Sequence, residues 1–260
     1  MRILFIGDIV GKTGRKCLKT ALEELKKETA FDLIIANGEN AAGGAGITET
    51  VFNDLRNMGV DVVTGGNHTW DQKDIYNFID REPRLIRPAN YPEETTPGYG
   101  SVIIERKKGK YKIAVLNLIG RVFMRPADCP FRTADKIIPG LKEKADLILV
   151  DFHAEATSEK QALGWYLDGQ VNAVIGTHSH VQTADERILT KGTAYITDVG
   201  MVGLYDSILG VDKGGPLKRF LTQMPHKLSI SDGTSLFNAL IVEFNEQGET
   251  VFVKRISQII

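Results

Sequence analysis

The chain has 260 residues, of which 42% are hydrophobic and 25% charged, a composition typical of a globular protein with a sizeable core. Its formal net charge of −1 argues against non-specific binding to nucleic acid or to an anionic membrane. Two cysteines, Cys17 and Cys129, exclude a disulfide framework, and we expect both to be reduced thiols. No stretch resembles a signal-peptide core or a membrane span, so we expect a cytoplasmic protein without membrane attachment.

Strands and helices alternate in the first third of the chain. Apolar runs predict strands at residues 2–7, 31–36 and 60–63, and amphipathic spacing predicts helices at 13–28 and from residue 48. In the first helix, Leu18, Leu22 and Leu25 fall on one face. Such alternation is typical of a parallel α/β sheet.

The rest of the chain is less regular. Strand-like runs at 101–105 and 112–118 predict a hairpin, with a Lys-Lys-Gly-Lys turn between them. Residues 120–140 contain three prolines and no clear periodicity, which predicts a long loop or lid. Strand, helix and strand are predicted at 146–152, 158–168 and 171–175, and an antiparallel end at 193–197, 236–244 and 250–256. Because no linker divides the chain, we predict one α/β domain over residues 1–260, with a mixed sheet or two packed sheets.

Side chains that can bind metal follow the predicted strands where these end. Asp8 follows the first strand, Glu39 and Asn40 the second, and Asn67 and His68 the third. The carboxyl ends of parallel strands converge on one crevice, so these side chains can meet there. A single aspartate at a strand end is often only the N-cap of the next helix. Three consecutive strands with such endings are hard to explain by turn chemistry alone.

Histidines occupy the same position later in the chain. His153 ends the strand predicted at 146–152, and His178 and His180 follow the one at 171–175. Alternate residues of an extended segment point to the same side, which predicts that His178 and His180 aim into one pocket. A lone histidine is more often structural than a ligand, and His226, outside any strand end, keeps that interpretation. Carboxylate, amide and imidazole groups in one pocket indicate a hydrolytic metal site.

A P-loop for nucleotide binding is an alternative interpretation of the first turn. The residues from Gly7 to Thr13 lie between a predicted strand and a helix, as a Walker A sequence does. That motif requires four residues between its glycines, whereas three separate Gly7 from Gly11. The shortened loop cannot present its amides to phosphates in the same way, and it leaves the histidines unexplained. We therefore favour the metal site.

The residues at these strand ends resemble the signature of the calcineurin-like metallophosphoesterase superfamily. The usual signature is Asp-x-His, Gly-Asp-x-x-Asp, Gly-Asn-His-Glu/Asp, a lone His and Gly-His-x-His, and five separated segments of this chain match it in order. Val10 stands where Asp-x-His has its histidine, and Glu39 replaces the usual bridging aspartate. These departures, and Asp71 three residues after His68, resemble the YmdB family of bacterial phosphodiesterases that act on 2′,3′-cyclic nucleotides.

The resemblance implies a fold and a metal centre. The fold would be an α/β sandwich of two mixed sheets flanked by helices, in α-β-β-α layers. One divalent cation would be held by Asp8, Glu39, Asn40 and His180, with Asn40 supplying the ligand that Val10 lacks. Glu39 would bridge to a second cation, completed by Asn67, His153 and His178. The family implies iron or manganese, and mixed nitrogen and oxygen ligands accept either metal.

The resemblance also implies a mechanism. A metal-bound hydroxide would attack the phosphorus of a 2′,3′-cyclic nucleotide and open the ring to a nucleoside monophosphate. His68 would be catalytic rather than a ligand, protonating the leaving oxygen or stabilising its charge. Two alternatives stay open: a phosphatase or nuclease acting on another phosphoester, and a metal-dependent, RNA-associated regulatory protein with little catalysis. We also expect a homo-oligomer, with RNA as a further candidate partner.

Residues that would contact the substrate away from the metals are less sharply predicted. The irregular stretch at 120–140 contains three arginines that could close over a phosphate or an RNA end, or could be solvated loop residues: Arg121, Arg125 and Arg132. Four aromatic residues are candidates for stacking on a base, although such residues usually anchor loops by packing: Trp70, Tyr91, Tyr99 and Phe123.

Overall fold

A computed structural model of the protein describes residues 1–92, 94–107 and 109–260. The strands of this part of the chain are β1 (Arg2–Ile6), β2 (Asp8–Ile9), β3 (Leu33–Asn37), β4 (Val62–Thr64), β5 (Leu85–Ile86), β6 (Ser101–Arg106), β7 (Tyr111–Ile119), β8 (Leu147–His153), β9 (Ala173–Thr177), β10 (Arg187–Ile188), β11 (Ala194–Ile196), β12 (Met201–Leu204), β13 (Ser235–Phe244) and β14 (Thr250–Ile259). Its α-helices are α1 (Gly11–Glu28), α2 (Glu49–Asn57), α3 (Pro130–Lys142), α4 (Thr157–Tyr166) and α5 (Gly214–Thr222). No helix in this part of the chain is both long enough and apolar enough to cross a membrane.

The strands form two mixed sheets. The larger sheet has eight strands in the order β2-β12-β13-β1-β3-β4-β5, with β14 paired to β13. The smaller sheet has six strands in the order β10-β11-β9-β8-β7-β6. Within them, β1, β3 and β4 are parallel neighbours, and so are β7, β8 and β9. Each sheet therefore has a parallel core, as the strand-helix alternation of the sequence predicts.

Alternation of side chains along the strands divides the core into layers. In β1, Ile3 and Phe5 belong to a cluster shared by the two sheets, whereas Leu4 and Ile6 belong to a cluster that includes α1 and α2. A third cluster lies between the smaller sheet and the helices α3 and α4. One strand can contribute to two layers because successive side chains point to opposite faces. The predicted sandwich of α-β-β-α layers is confirmed.

The segment predicted to be a loop or lid at residues 120–140 is irregular only as far as residue 129. From Pro130 it forms α3, so the loop prediction is wrong for the second half of the segment. Proline is tolerated at the first helical position because the N–H that it lacks would have no helical partner there. The helix buries Ala134, Ile138 and Leu141, which share one face. Pro139 lies inside the helix, a position at which proline usually breaks or kinks the chain.

The end of the chain is not antiparallel throughout. β11 is antiparallel to β10 but parallel to β9, so the antiparallel prediction for residues 193–197 is confirmed on one edge of the strand and wrong on the other. Three apolar residues do not encode the direction of the neighbouring strand, since both kinds of pairing need the same side-chain alternation. The other predicted pairings are confirmed, because β13 with β14 and β6 with β7 are antiparallel. Lys108, in the predicted turn between β6 and β7, lies outside the described residues.

Candidate metal centre

The predicted ligands meet where strands of both sheets end. The larger sheet contributes Asp8, at the start of β2, and the residues that follow β3 and β4: Glu39, Asn40 and Asn67. The smaller sheet contributes His153, the last residue of β8, and the two histidines that follow β9: His178 and His180. The site therefore spans the boundary between the sheets.

His153 has the closest contacts in the cluster. Its Nε2 atom lies 3.1 Å from Glu39 Oε1 and 3.0 Å from Asn67 Oδ1. The Nδ1 atom of His178 lies 3.0 Å from the same Nε2. One potential ligand atom from each of Glu39, His153 and His178 lies within 4.8 Å of the other two. Nitrogen and oxygen acceptors this close together can share one cation.

A neighbouring set of contacts surrounds Asp8 and Asn40. The Nδ2 atom of Asn40 lies 3.2 Å from Glu39 Oε1 and 3.2 Å from His180 Nε2. The Oδ1 atom of Asp8 lies 3.8 Å from His180 Nε2. Among the residues that the structure describes, this buried Oδ1 has no hydrogen-bond partner, which is costly for a carboxylate. A cation beside it would supply the missing partner, so the residues present fit a metal centre.

A hydrogen-bonded chain orients the His153 ring. Its Nδ1 atom lies 2.9 Å from Thr177 Oγ1, and the Thr177 hydroxyl donates to Asp151 Oδ1 at 2.7 Å. Because the Thr177 hydroxyl donates its hydrogen bond to Asp151, the Thr177 oxygen accepts a hydrogen bond from the N–H at His153 Nδ1. The Nε2 atom is then the ring nitrogen that faces Glu39 and Asn67, and a cation or a second proton can occupy it.

Burial and neighbouring charges set the protonation of the cluster. Burial opposes charge on Glu39, but the His153 imidazole outweighs it and lowers the pKa of Glu39 to about 2. Against the effect of burial, the Glu39 charge raises the pKa of His153 to about 9. A cation must therefore displace a proton from this pair when it binds. Burial, aided by His153, lowers the pKa of His178 to about 3, so this ring is neutral and can donate a lone pair to a metal.

The backbone that carries His178 and His180 differs in conformation from the predicted one. Both follow β9 with left-handed backbone, at φ values of 102° and 62° respectively. The expectation of alternate positions on an extended strand is therefore wrong, although both rings reach the cluster. Left-handed backbone is uncommon in residues other than glycine and often occurs at functional sites. Between them, Ser179 donates from its N–H and its hydroxyl to Asp198 Oδ2, at 3.0 Å and 2.6 Å.

Gly66 allows the backbone after β4 to pass close to the cluster. A Cβ atom at this position would lie 2.3 Å from Glu39 Oε2 and 2.5 Å from His153 Nε2. Both distances are shorter than real Cβ contacts, so a larger residue would displace the carboxylate or the ring. This glycine therefore shapes the cluster without contributing a side chain.

His68 borders the cluster and lines the adjoining cavity. Its N–H donates to Glu39 Oε2 at 2.8 Å, and its Nδ1 atom lies 2.7 Å from Asp71 Oδ2. Its side chain is 37% exposed, whereas those of Glu39 and His153 are almost fully buried. This position is compatible with the predicted contact to substrate, which stays a prediction.

Several residues around the site were missed by reasoning from the sequence. The Oε2 atom of Glu155 lies 2.9 Å from His178 Nε2. The buried Lys160 Nζ atom lies 2.5 Å from Asp198 Oδ2, the same oxygen that accepts from Ser179. Of these residues, only Glu155 could have been suspected from the sequence, because it lies two residues after His153 at the end of a predicted strand.

The residues predicted to contact the substrate away from the metals do not line the cavity beside the metal centre, although Tyr91 donates its hydroxyl to the carbonyl oxygen of Gly66 at 3.3 Å. Trp70 stacks on Tyr76, with ring centroids 5.5 Å apart, and also packs against Tyr91. Phe123 is 89% exposed. Within the described residues, the lining of the cavity beside the metal centre includes none of the four aromatic candidates and none of Arg121, Arg125 and Arg132.

Comparison with known proteins identifies the family. A model of the YmdB-like protein family matches residues 4–256. The chain belongs to the YmdB-like family. One relative of this YmdB-like chain is the 2′,3′-cyclic-nucleotide 2′-phosphodiesterase of Bacillus subtilis (strain 168), which is 51% identical over 247 residues. That alignment covers 95% of this chain and 92% of the relative. The enzyme class predicted from the sequence, a phosphoric diester hydrolase, is confirmed by this relationship.

Two solved structures share the fold of this YmdB-like chain over its full length. A hypothetical protein from Thermus thermophilus superposes with a TM-score of 0.93 at 43% identity, covering 100% of this chain and 99% of the other. A phosphatase from Mycoplasma pneumoniae also gives a TM-score of 0.93, at 35% identity, covering 100% of this chain and 93% of the other. The sandwich with its two parallel cores is thus the fold of the family.

Proposed function

We propose that this protein hydrolyses 2′,3′-cyclic nucleotides to nucleoside monophosphates at a centre of two divalent cations. The observation that carries the proposal is the convergence of carboxylate, amide and imidazole atoms around Glu39 beside an open cavity. The activity of the Bacillus subtilis relative supports the choice of substrate.

The cations would be shared between two groups of ligands. One group is Asp8, Glu39, Asn40 and His180, and the other is Glu39, Asn67, His153 and His178. Iron or manganese is proposed for both positions, because nitrogen and oxygen ligands of this kind suit either metal. When bound, the cations supply Lewis-acid stabilisation of the phosphoryl oxygens and lower the pKa of water.

Residues of the chain prepare the site for this chemistry. Asn67 and Asn40 bring neutral amides to a cluster whose carboxylates are buried, which limits the negative charge that a phosphate must approach. His68 lies at the rim of the cluster, and its Nδ1 atom is held by Asp71. In its imidazolium form His68 donates from Nδ1 to Asp71 and can transfer its Nε2 proton to the leaving ribose oxygen, becoming a neutral imidazole.

A substrate panel combined with elemental analysis tests the proposal. The purified protein is assayed with 2′,3′-cyclic AMP, 3′,5′-cyclic AMP and a generic phosphodiester, and the metal content of each active preparation is measured. We expect the highest kcat/KM for 2′,3′-cyclic AMP and two metals per chain. Fewer than two metals in every active preparation would contradict the dinuclear centre.

The same panel separates the alternatives. Faster hydrolysis of another phosphoester would favour a phosphatase or nuclease. A metal-replete protein that is inert toward all of them would favour a regulatory, RNA-associated protein. RNA binding, a homo-oligomer and a cytoplasmic location stay predictions from the sequence.

A further inference from the structure

The cavity beside the metal centre has two chemically different walls. Its volume is about 570 Å³, within the range of about 300–1,000 Å³ that small-molecule sites occupy. One wall consists of residues of the candidate metal centre, including Glu39, His68 and His178. A second wall is formed by residues between 208 and 228 and is largely apolar. A ligand that fills this cavity therefore has one end at the metals and the other against an apolar surface.

One face of α5 forms much of the apolar wall. Pro216, Arg219 and Phe220 line the cavity, and their spacing of three and four residues places them on one side of the helix. Gln223 follows the helix with left-handed backbone and also lines the cavity. Phe220 is 74% exposed although it is a large aromatic residue. The face thus offers one aromatic ring and one guanidinium to the cavity, whereas the Gln223 amide donates to the Phe220 carbonyl oxygen at 3.1 Å.

Hydrogen bonds hold this wall against the rest of the protein. Asp212, just before α5, accepts from the hydroxyls of Ser229 and Ser231, which follow the helix, at 2.7 Å and 2.8 Å. These bonds tie the two ends of the α5 segment together. The carbonyl oxygen of Leu209, which also lines the cavity, lies 3.0 Å from His180 Nδ1. The apolar wall is therefore bonded directly to a residue of the metal centre.

We propose that the α5 face is the nucleobase subsite of this enzyme, with the base stacked on Phe220 and with Arg219 beside its polar edge. This inference rests on the proposed function, because it assumes a nucleotide whose phosphate lies at the metals. The described residues of the metal wall include no Phe, Tyr or Trp, whereas Phe220 lines the same cavity and is largely exposed. Stacking on an aromatic ring accepts any base, since every base has a π face.

The aromatic candidates from the sequence are less suited to this role. Trp70 already stacks on Tyr76, and Tyr91 donates its hydroxyl to the Gly66 carbonyl at 3.3 Å. In the described residues, Phe220 is the aromatic side chain that lines the cavity. A base held there can keep its attached phosphate at the metals.

A pair of substrates tests the subsite. Wild type and Phe220→Ala are compared on 2′,3′-cyclic AMP and on a base-free analogue, 1-O-methylribose 2,3-cyclic phosphate. We expect Phe220→Ala to raise KM for 2′,3′-cyclic AMP about 10- to 100-fold, the effect of losing one base–aromatic stack. The kcat/KM for the base-free analogue should not change. Phe220→Trp should restore KM, because it keeps an aromatic face.

Leu221→Ala is the matched control, since Leu221 neighbours Phe220 and is 83% exposed but does not line the cavity. It should leave both substrates unaffected. Equal loss on both substrates in Phe220→Ala, or no loss on either, would overturn the subsite.

Equilibrium binding separates this proposal from the proposed function. The affinity for adenosine 3′-monophosphate is measured by calorimetry with wild type and Phe220→Ala. If the wild type hydrolyses no cyclic nucleotide yet its affinity for the monophosphate depends on Phe220, the proposed function fails and the subsite stands. If the affinity is the same in both proteins, the subsite is wrong whatever the enzyme hydrolyses.

Discussion

His68 borders the metal centre and pairs with a carboxylate three residues along the chain, Asp71. Asp71 holds its Nδ1 atom at 2.7 Å, whereas His153 and His178 approach each other and the shared Glu39. His68 and Asp71 are three residues apart in the turn that follows β4. This arrangement keeps the ring at the edge of the cavity and separates its role from metal binding.

Replacing His68 with alanine should therefore affect turnover more than metal content. We expect kcat to fall about 10²- to 10⁴-fold, the usual contribution of a general acid, with metal content near that of wild type. The checks are steady-state kinetics and elemental analysis of the same preparation. His226→Ala, outside the site, is the control and should behave as wild type. Loss of metal in His68→Ala would make His68 a ligand.

The two thiols should differ in reactivity because their surroundings differ. Burial raises the pKa of Cys17 to about 12, whereas Cys129 is partly exposed. At pH 8 only Cys129 should react quickly with a thiol reagent, and Cys129→Ser should abolish the fast phase. Rapid reaction of two thiols per folded chain would contradict this prediction.

The raised pKa of Cys17 also has a consequence for stability. The folded state retains the thiol proton above the ordinary thiol pKa of about 8.5, at which the unfolded chain releases it. The contribution of Cys17 to the free energy of unfolding is therefore complete below pH about 8.5 and decreases as pH rises toward 12. Cys17→Ala should remove this part of the pH dependence in denaturant titrations.

Candidate ligands that end a strand or directly follow one could be predicted from the sequence. Asp8, Glu39 and His153 could be selected because an apolar run and a polar ending are local features. Lys160 could not be selected, since its partner Asp198 is 38 residues away and the burial of both depends on the folded sheet. The left-handed backbone of His178 also has no local signal, because residues other than glycine seldom adopt it.

Among the elements, α4 holds the loop that follows β9. Lys160 of α4 lies 2.5 Å from Asp198, and both side chains are almost fully buried. The same Asp198 oxygen accepts from Ser179, which lies between His178 and His180. The ion pair thus connects a helix to the backbone that presents two candidate ligands.

Breaking this pair should destabilise the protein and loosen its metal site. Lys160→Met leaves a buried carboxylate unpaired, which costs about 3–5 kcal/mol. We expect a lower free energy of unfolding and weaker metal affinity, measured by denaturant titration and by competition with a chelator. The double variant Lys160→Met/Asp198→Asn should recover part of the stability, because it removes the unpaired charge. Equal stability of Lys160→Met and wild type would show that the pair contributes little.

Elements with a clear periodicity can be predicted from sequence, and those shaped by their neighbours cannot. α1 has a continuous apolar face, and its predicted start agrees with the observed one to within two residues. α3 begins with one proline and contains another, so its sequence suggests a loop, and only packing of Ile138 and Leu141 against the smaller sheet favours the helix. The direction of β11 depends on its partner β9 and is likewise not local.

At the scale of the whole molecule, the metal centre joins the two sheets. Asp8 and Glu39 come from the larger sheet and His153 and His178 from the smaller one. Bound cations would therefore stabilise the contact between the sheets as well as each loop.

Removing the metals should lower the thermal stability of the whole domain. A cation at 100 times its Kd stabilises the folded state by about 2.7 kcal/mol, which corresponds to a shift in Tm of roughly 5–10 °C for a chain of this size. Calorimetry before and after chelation, and again after manganese is restored, measures the shift. Chelation should lower the Tm of the Asp8→Asn variant by less than that of wild type, because the substitution already weakens one cation site. An unchanged Tm after complete metal removal would contradict the coupling.

The late position of β13 in the sequence also affects how the chain folds during its synthesis. β1, from Arg2–Ile6, pairs along one edge with β13, from Ser235–Phe244. At about 5–20 residues per second, synthesis leaves this edge of β1 without its partner for roughly 10–50 s. Unpaired strand edges promote aggregation. Substitutions in β13 should therefore reduce the yield of soluble protein during expression more than they reduce the activity of the molecules that finish folding.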